Sequence, residues 1–227
     1  MSKIVAIRPE PGLASTKALG QSIGLHIQGI PLSTVIPCGW HLPALSNFDA
    51  LLVGSANVFR HGGAKLSRLK HLPVVAVGKT TSEAAEQLGF DVTYVGQDGL
   101  QKLITGIGLR YRNYLRLSGE NHISLSGPEE VKLTTLVVYK LKTNAIEEDM
   151  AAQISDGAIV LLHSANAAKH FESECQRLDI SRTNISLCAL GPRILEPVGT
   201  GWKSLNVAPR PTDLDLLSLA KKIARSF

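Results

Sequence analysis

Asp49-Ala50-Leu51-Leu52-Val53-Gly54-Ser55-Ala56-Asn57-Val58-Phe59-Arg60-His61 lines up with Gly157-Ala158-Ile159-Val160-Leu161-Leu162-His163-Ser164-Ala165-Asn166-Ala167-Ala168-Lys169-His170 once one residue is allowed in the apolar run. In both stretches an apolar run of strand length ends, and Ser-Ala-Asn follows where helical composition begins. A run without polar alternation suits a strand buried on both faces, as in a parallel sheet covered by helices on each side. Downstream, Val74-Val75-Ala76-Val77-Gly78 has a counterpart in Leu187-Cys188-Ala189-Leu190-Gly191, each a strand ending in Gly before a helix. Two copies imply two similar α/β modules.

Outward from the repeat, the same alternation runs nearly from end to end. Residues 3–7, 50–53, 74–77, 92–95, 114–117, 158–162, 185–190 and 203–207 read as strands. Helices are expected after Pro11-Gly12, with Leu13, Leu19 and Ile23 on the apolar side, near Asn57, Thr80 and Gly99, and over 166–178 and 212–225. The predicted fold class is α/β, with two similar parallel-sheet domains. Two β-like segments fall outside the alternation: 26–36, interrupted by Pro31, and 133–141, rich in Thr, Val and Leu. They can pair as a two-stranded connection between the modules.

Composition narrows the function. The chain has 227 residues, 44% apolar and 19% charged, which excludes a disordered protein and is enough for one large or two small cores. No apolar run approaches the roughly 20 residues that cross a bilayer. The start holds only the short apolar run 4–7 before Arg8, so a strand is expected there rather than a signal peptide, and the expected location is the cytoplasm. Cys38, Cys175 and Cys188 are odd in number and show no C-x-x-C spacing, against a disulfide framework and a zinc site alike. The net charge of +5 is scattered singly along the chain, which fits an anionic small molecule better than a nucleic-acid face.

Several motifs fail on inspection. Gly78-Lys79-Thr80 ends like a phosphate-binding loop, but Pro73 stands where that motif needs Gly. Gly106-Ile107-Gly108 has Tyr111 in place of the third Gly of a dinucleotide fingerprint. The seven histidines form no H-E-x-x-H pair, and Gly54-Ser55 is no nucleophile elbow, so neither a metal nor any other cofactor is expected. His163 reads as a hydrogen-bonded residue at the sheet's edge. What remains is Ser-Ala-Asn at two strand-to-helix turns, where it either caps the helix or leaves main-chain N–H groups facing an anion. Tyr139, in Val137-Val138-Tyr139, is either an ordinary strand aromatic or a phenol facing a cleft, able to donate a proton.

At this point the residues match a family. Arg8-Pro9, 49–58 with Ser-Ala-Asn, Val77-Gly78 with Thr80-Thr81, Leu115-Arg116-Leu117 before Gly119, Val138-Tyr139, His163-Ser164-Ala165-Asn166, Ala189-Leu190-Gly191-Pro192 and Ala208-Pro209-Arg210-Pro211-Thr212 together resemble uroporphyrinogen-III synthase over essentially the whole chain. The resemblance implies two α/β domains joined by a two-stranded antiparallel ladder. Residues 1–34 and 142–227 would form one discontinuous domain, 42–131 the inserted one, and 35–41 and 132–141 the linker strands. It implies cyclisation of hydroxymethylbilane to uroporphyrinogen III, with inversion of ring D through a spiro intermediate and loss of water. It further implies a monomer in transient contact with hydroxymethylbilane synthase.

By match to the family, Tyr139 is the candidate acid for hydroxyl departure. Main-chain groups of Ser55, Ala56 and Asn57, of Gly78, Lys79, Thr80 and Thr81, of Ser164, Ala165 and Asn166, and of Gly191 to Arg193 would hold substrate carboxylates, with Arg8 and Gly119 completing the set. Two departures stand out. Glu120-Asn121-His122-Ile123-Ser124-Leu125-Ser126-Gly127-Pro128 replaces the family's usual helix after Gly119, and Arg193-Ile194 replaces a Thr after Gly-Pro. A non-catalytic two-domain module for an anionic metabolite is the rival reading. A nucleic-acid protein, resting on Arg110, Arg112, Arg116, Tyr111 and Tyr114, is disfavoured because that stretch alternates as a strand does.

Overall fold

In the computed structural model, residues 3–107 and 110–225 are described; Gly108 of the Gly106-Ile107-Gly108 run lies outside the described residues. The chain runs β1 (Lys3–Ala6), α1 (Gly12–Ser22), β2 (Ile27–Gly29), β3 (Ser33–Pro37), β4 (Ala50–Val53), α2 (Asn57–His61), β5 (Val74–Val77), α3 (Lys79–Gln87) and β6 (Val92–Gly96). It continues with α4 (Leu100–Gly106), β7 (Asn113–Gly119), β8 (Lys132–Thr143), α5 (Glu148–Ser155), β9 (Ala158–Leu162), α6 (Ala165–Arg177), β10 (Ile185–Ala189), β11 (Ser204–Val207) and α7 (Asp213–Arg225). Two compact units emerge, residues 1–34 with 142–227, and residues 35–141.

The first unit holds a five-stranded sheet in the order β11-β10-β9-β1-β2, parallel throughout. Side chains alternate across a strand, so β1 and β9 feed two cores at once. Val5, Ile7, Val160 and Leu162 pack with Phe171 of α6 and Ile154 of α5. Ile4, Ala6, Ile159 and Leu161 pack with Leu13 of α1 and Leu216 and Leu217 of α7. This double burial is why the run 158–162 carries no polar residue. Cys175 and Cys188 are buried in these layers, and burial pushes both thiols up to about 12.

The second unit holds a six-stranded sheet in the order β3-β8-β7-β4-β5-β6. Leu51, Val53, Leu115 and Leu117 face one core with Val58, Phe59 and Ala85; Ala50, Leu52, Val75 and Tyr114 face the other with Leu103 and Ile104. The stretch 114–117 is a strand, as expected, but both of its faces are buried, Arg116 included.

Four features depart from the sequence expectations. Segment 26–36 divides: β2 closes the first sheet, while β3 pairs with β8 at the edge of the second. Besides pairing with β3, β8 continues into that sheet by parallel pairing with β7, from Asn113 opposite Lys132 to Gly119 opposite Tyr139. α5, which has a weakly apolar face, lies where no helix is anticipated. The helix expected after Gly191 is two 3-10 turns, Pro192–Ile194 and Glu196–Val198, because Pro197 would fall inside a helix begun at Pro192 and cannot donate its hydrogen bond. Segment 120–131, between the parallel strands β7 and β8, contains no helix, as its Gly127-Pro128 suggested.

Candidate functional site

In open parallel sheets the loops at the carboxyl ends of the strands hold ligands, and the sequence-predicted residues gather there in both units. In the first unit, Arg8 follows β1, Ser164 to Asn166 follow β9, and Gly191 to Arg193 follow β10, three neighbouring strands. In the second, Ser55 to Asn57 follow β4, Gly78 to Thr81 follow β5, and Gly119 ends β7 beside Tyr139 of β8. Each unit thus collects one set.

The two Ser-Ala-Asn turns differ in detail. Ser164 has extended backbone and caps α6, its Oγ accepting the Ala167 N–H at 3.3 Å. Ser164, Ala165 and Asn166 are all exposed. Ser55 is half-buried and its Oγ accepts the Asn57 N–H at 3.3 Å, while α2 begins two residues later and lasts five residues. Ala56 is buried, and Asn57 Oδ1 accepts from Arg60. The Gly pair also diverges. Gly78 has φ 79° and ψ 147°, a conformation reserved for glycine, which turns the chain directly into α3. Gly191 has φ −162°, ordinary extended backbone. Behind Gly78, Lys79 is exposed and pairs with Glu83, Thr80 is exposed and Thr81 is buried. Arg193 is exposed.

Tyr139 sits over Gly119. A Cβ at position 119 would stand 2.6 Å from Tyr139 Cε2 and 2.7 Å from Cζ, so only glycine leaves room for the ring. The parallel register slips by one residue at this point, which brings Tyr139 opposite Gly119. The His61 ring lies 6.5 Å from the Tyr139 ring, centre to centre. Burial, aided by the charge of Arg60, holds His61 below the usual imidazole range and so neutral at pH 7. His122 Nδ1 donates to Gly119 O at 2.8 Å. The half-buried ring is therefore positioned by its strand and its glycine floor, with a neutral imidazole nearby.

A cluster unforeseen in the sequence surrounds Arg8. Its Nη1 donates to Asp213 Oδ2 at 3.0 Å and to Thr16 Oγ1 at 3.2 Å, while Thr16 Oγ1 donates to the same Oδ2 at 2.8 Å. His163 Nε2 meets Asp213 Oδ1 at 3.0 Å; since a carboxylate only accepts, Nε2 carries the proton. Burial alone would raise the Asp213 carboxyl, but hydrogen bonds from His163 and Thr16 and the charges of His163 and Arg8 outweigh it and hold it below the ordinary range. Asp213 opens α7, where an anion also suits the helix dipole. The visible signal was Pro211-Thr212 ahead of a helix, whose start is a cap in which Thr212 Oγ1 accepts the Asp215 N–H. Nothing local links that turn to position 8 or 163.

Among the described residues, no group of three His, Cys, Asp or Glu side chains is placed to hold a metal ion, and no helix is long and apolar enough to cross a membrane. Comparison with known proteins bears on this arrangement. The family model described as "Uroporphyrinogen-III synthase HemD" matches residues 16–218. No curated protein sequence matches the chain. Among solved structures, uroporphyrinogen-III synthetase from Helicobacter pylori is similar with a TM-score of 0.70 at 17% identity, covering 98% of this chain and 100% of that one. A mutant uroporphyrinogen III synthase from Thermus thermophilus is similar with a TM-score of 0.53 at 14% identity, covering 100% of both chains. At such identities these likenesses speak for the fold; the family model speaks for descent. The chain, an enzyme of tetrapyrrole biosynthesis, belongs to the uroporphyrinogen-III synthase family.

Proposed function

We propose that the protein closes hydroxymethylbilane to uroporphyrinogen III with inversion of ring D. Loss of the hydroxyl, as water once protonated, leaves an azafulvene. Ring D attacks that carbon through its substituted α-carbon, giving a spiro centre; the bond from this α-carbon to the neighbouring bridge breaks, and the bridge rejoins at the free α-carbon. The net change is the loss of one water. Closure without inversion needs no enzyme, so the protein's contribution is mainly to hold one conformation of a flexible substrate.

The observation that carries the site assignment is Tyr139 held over Gly119. In this reading the phenol assists departure of the hydroxyl, and neutral His61 beside it adds no positive charge to repel the developing cation. The turns at 164–166, 191–193 and 78–80, exposed except for half-buried Gly78 and Gly191, take the acetate and propionate groups of the pyrroles together with half-buried Ser55 and Asn57. Arg8 adds a cation tempered by Asp213, and Arg193 adds an exposed one. Each unit, bounded as the resemblance implies, would hold part of the substrate. We further place the enzyme in the cytoplasm as a monomer that receives unstable substrate from hydroxymethylbilane synthase.

The test is a coupled assay in which that synthase supplies substrate and the products, oxidised to porphyrins, are separated by isomer. Isomer III that depends on this protein is expected. Isomer I alone, from folded protein, would overturn the reading and leave an anion-binding module in its place.

A further inference from the structure

Arg116 is a charge without a counter-charge. It lies in the middle of β7, 3% exposed, with Leu52 opposite on one side and Thr135 on the other. Its Nη1 donates to Ile123 O at 2.8 Å, while Nε is buried with no partner. Among the described residues no carboxylate lies within ion-pair distance of it. Burying a guanidinium against one main-chain carbonyl is costly, because the charge forfeits water and gains little in return. Burial accordingly pulls its affinity for the proton down.

What covers it is a segment without helix or strand, none of whose residues is fully buried. Segment 120–131 contributes the Ile123 carbonyl while leaving the Ile123 side chain 67% exposed. The segment is held otherwise by Gln101, which donates to Ser126 O and accepts the Ser126 N–H, by His122 on Gly119 O, by the Glu120 N–H on Tyr139 O at 3.0 Å, and by Leu125 and Val131, half-buried against the core. With Nη1 taken, the Nε edge of the guanidinium remains, and that edge is the fork that grips a carboxylate through two parallel bonds. Arg116 lies mid-strand, three residues short of Gly119, the position opposite Tyr139.

We propose that Arg116 is an anion-binding residue for a carboxylate ligand, covered in this structure by segment 120–131 and engaged when that segment shifts. The identity of the anion, a side-chain carboxylate of the linear tetrapyrrole, rests on the function proposed above; the existence of the site does not. A carboxylate arriving at the Nε edge supplies the counter-charge that the fold lacks, and so ties substrate binding to the position of 120–131.

The test compares wild type with Arg116→Met, which keeps an apolar stem and removes the charge, and uses benzenehexacarboxylate as the probe anion. Arg116→Met is expected to melt at or above the wild-type temperature, to lose the thermal shift that the probe gives wild type, and to raise KM for hydroxymethylbilane by about tenfold or more. A variant that melts lower, keeps the probe shift and keeps KM would overturn the proposal, leaving Arg116 a structural tie. Should Arg116→Met not fold, Arg116→Lys decides: it retains the charge and loses the fork, so KM rises severalfold if the proposal holds and stays unchanged if it does not. Probe binding that depends on Arg116 in a protein making no isomer III would sink the substrate reading and keep the anion site. Isomer III with an unaltered KM in the variants would do the reverse.

Discussion

Arg8 follows a parallel strand of the first unit and Arg116 lies within one of the second, and the two are treated in opposite ways. Arg8, about a third exposed, is matched by Asp213 and Thr16. Arg116, almost wholly buried, has a single carbonyl. A fold selected for stability alone would place the carboxylate beside the more buried cation, where an unpaired charge costs more. The contrast separates a cation already paired within the protein from one left without a counter-charge. The duplicated turns carry the same lesson: one Ser-Ala-Asn caps a long helix, while the other opens a five-residue one.

The comparison can be broken most severely at Tyr139. Tyr139→Phe keeps the ring over Gly119 and removes the hydroxyl, so isomer III formation should slow about 10²-fold with little change in melting temperature, read by the coupled assay and calorimetry. Gly119→Ala, which drives a Cβ into that ring, should act in the same direction. A Tyr139→Phe enzyme of wild-type rate would leave the phenol with no part in the reaction.

Next in size is the frame around Arg8. Asp213→Asn leaves Arg8 and His163 without their anion and should cost about 3 kcal/mol by urea unfolding. Because the folded carboxyl titrates below its ordinary 3.8, its stabilisation is complete above that value and disappears as pH falls through the folded one. The gap between wild type and Asp213→Asn should therefore be flat from neutrality to about pH 5 and close in acid. A gap that widens in acid would contradict the ion pair.

These effects also mark what could be read from sequence. Eight strands were legible because strands buried on both faces leave uninterrupted apolar runs, and all eight lie within a residue or two of their expected bounds. The Arg8-Asp213-His163-Thr16 cluster was not, since its members lie on three distant stretches and share no spacing rule. Tyr139 was legible as a candidate, but its glycine floor depends on a register slip that no local pattern announces. The equivalence of Gly78 and Gly191 misled, because the repeat matches the strands while Pro197 interrupts the helix that would follow the second of them.

Two smaller contrasts sharpen the duplicated turns. Gly78→Ala forces a side chain into a glycine-only conformation and should cost about 2 kcal/mol, whereas Gly191→Ala, extended and with open space around its Cβ, should be near neutral. Ser164→Ala removes a helix cap at about 1 kcal/mol, while Ser55→Ala, whose helix is five residues long, should cost about 0.5 kcal/mol or less. Equal costs within either pair, by urea unfolding, would mean that the two copies are the same device after all.

The central claim is that the protein inverts ring D, and one bond reports it. Hydroxymethylbilane would carry ¹³C both in the bridge between rings C and D and in the adjacent substituted α-carbon of ring D, and the product formed with this protein would be followed by NMR. Inversion breaks the bond between the two labels, so their one-bond coupling should disappear from the main product. A product in which the coupling survives would mean closure without inversion, and would contradict the claim directly.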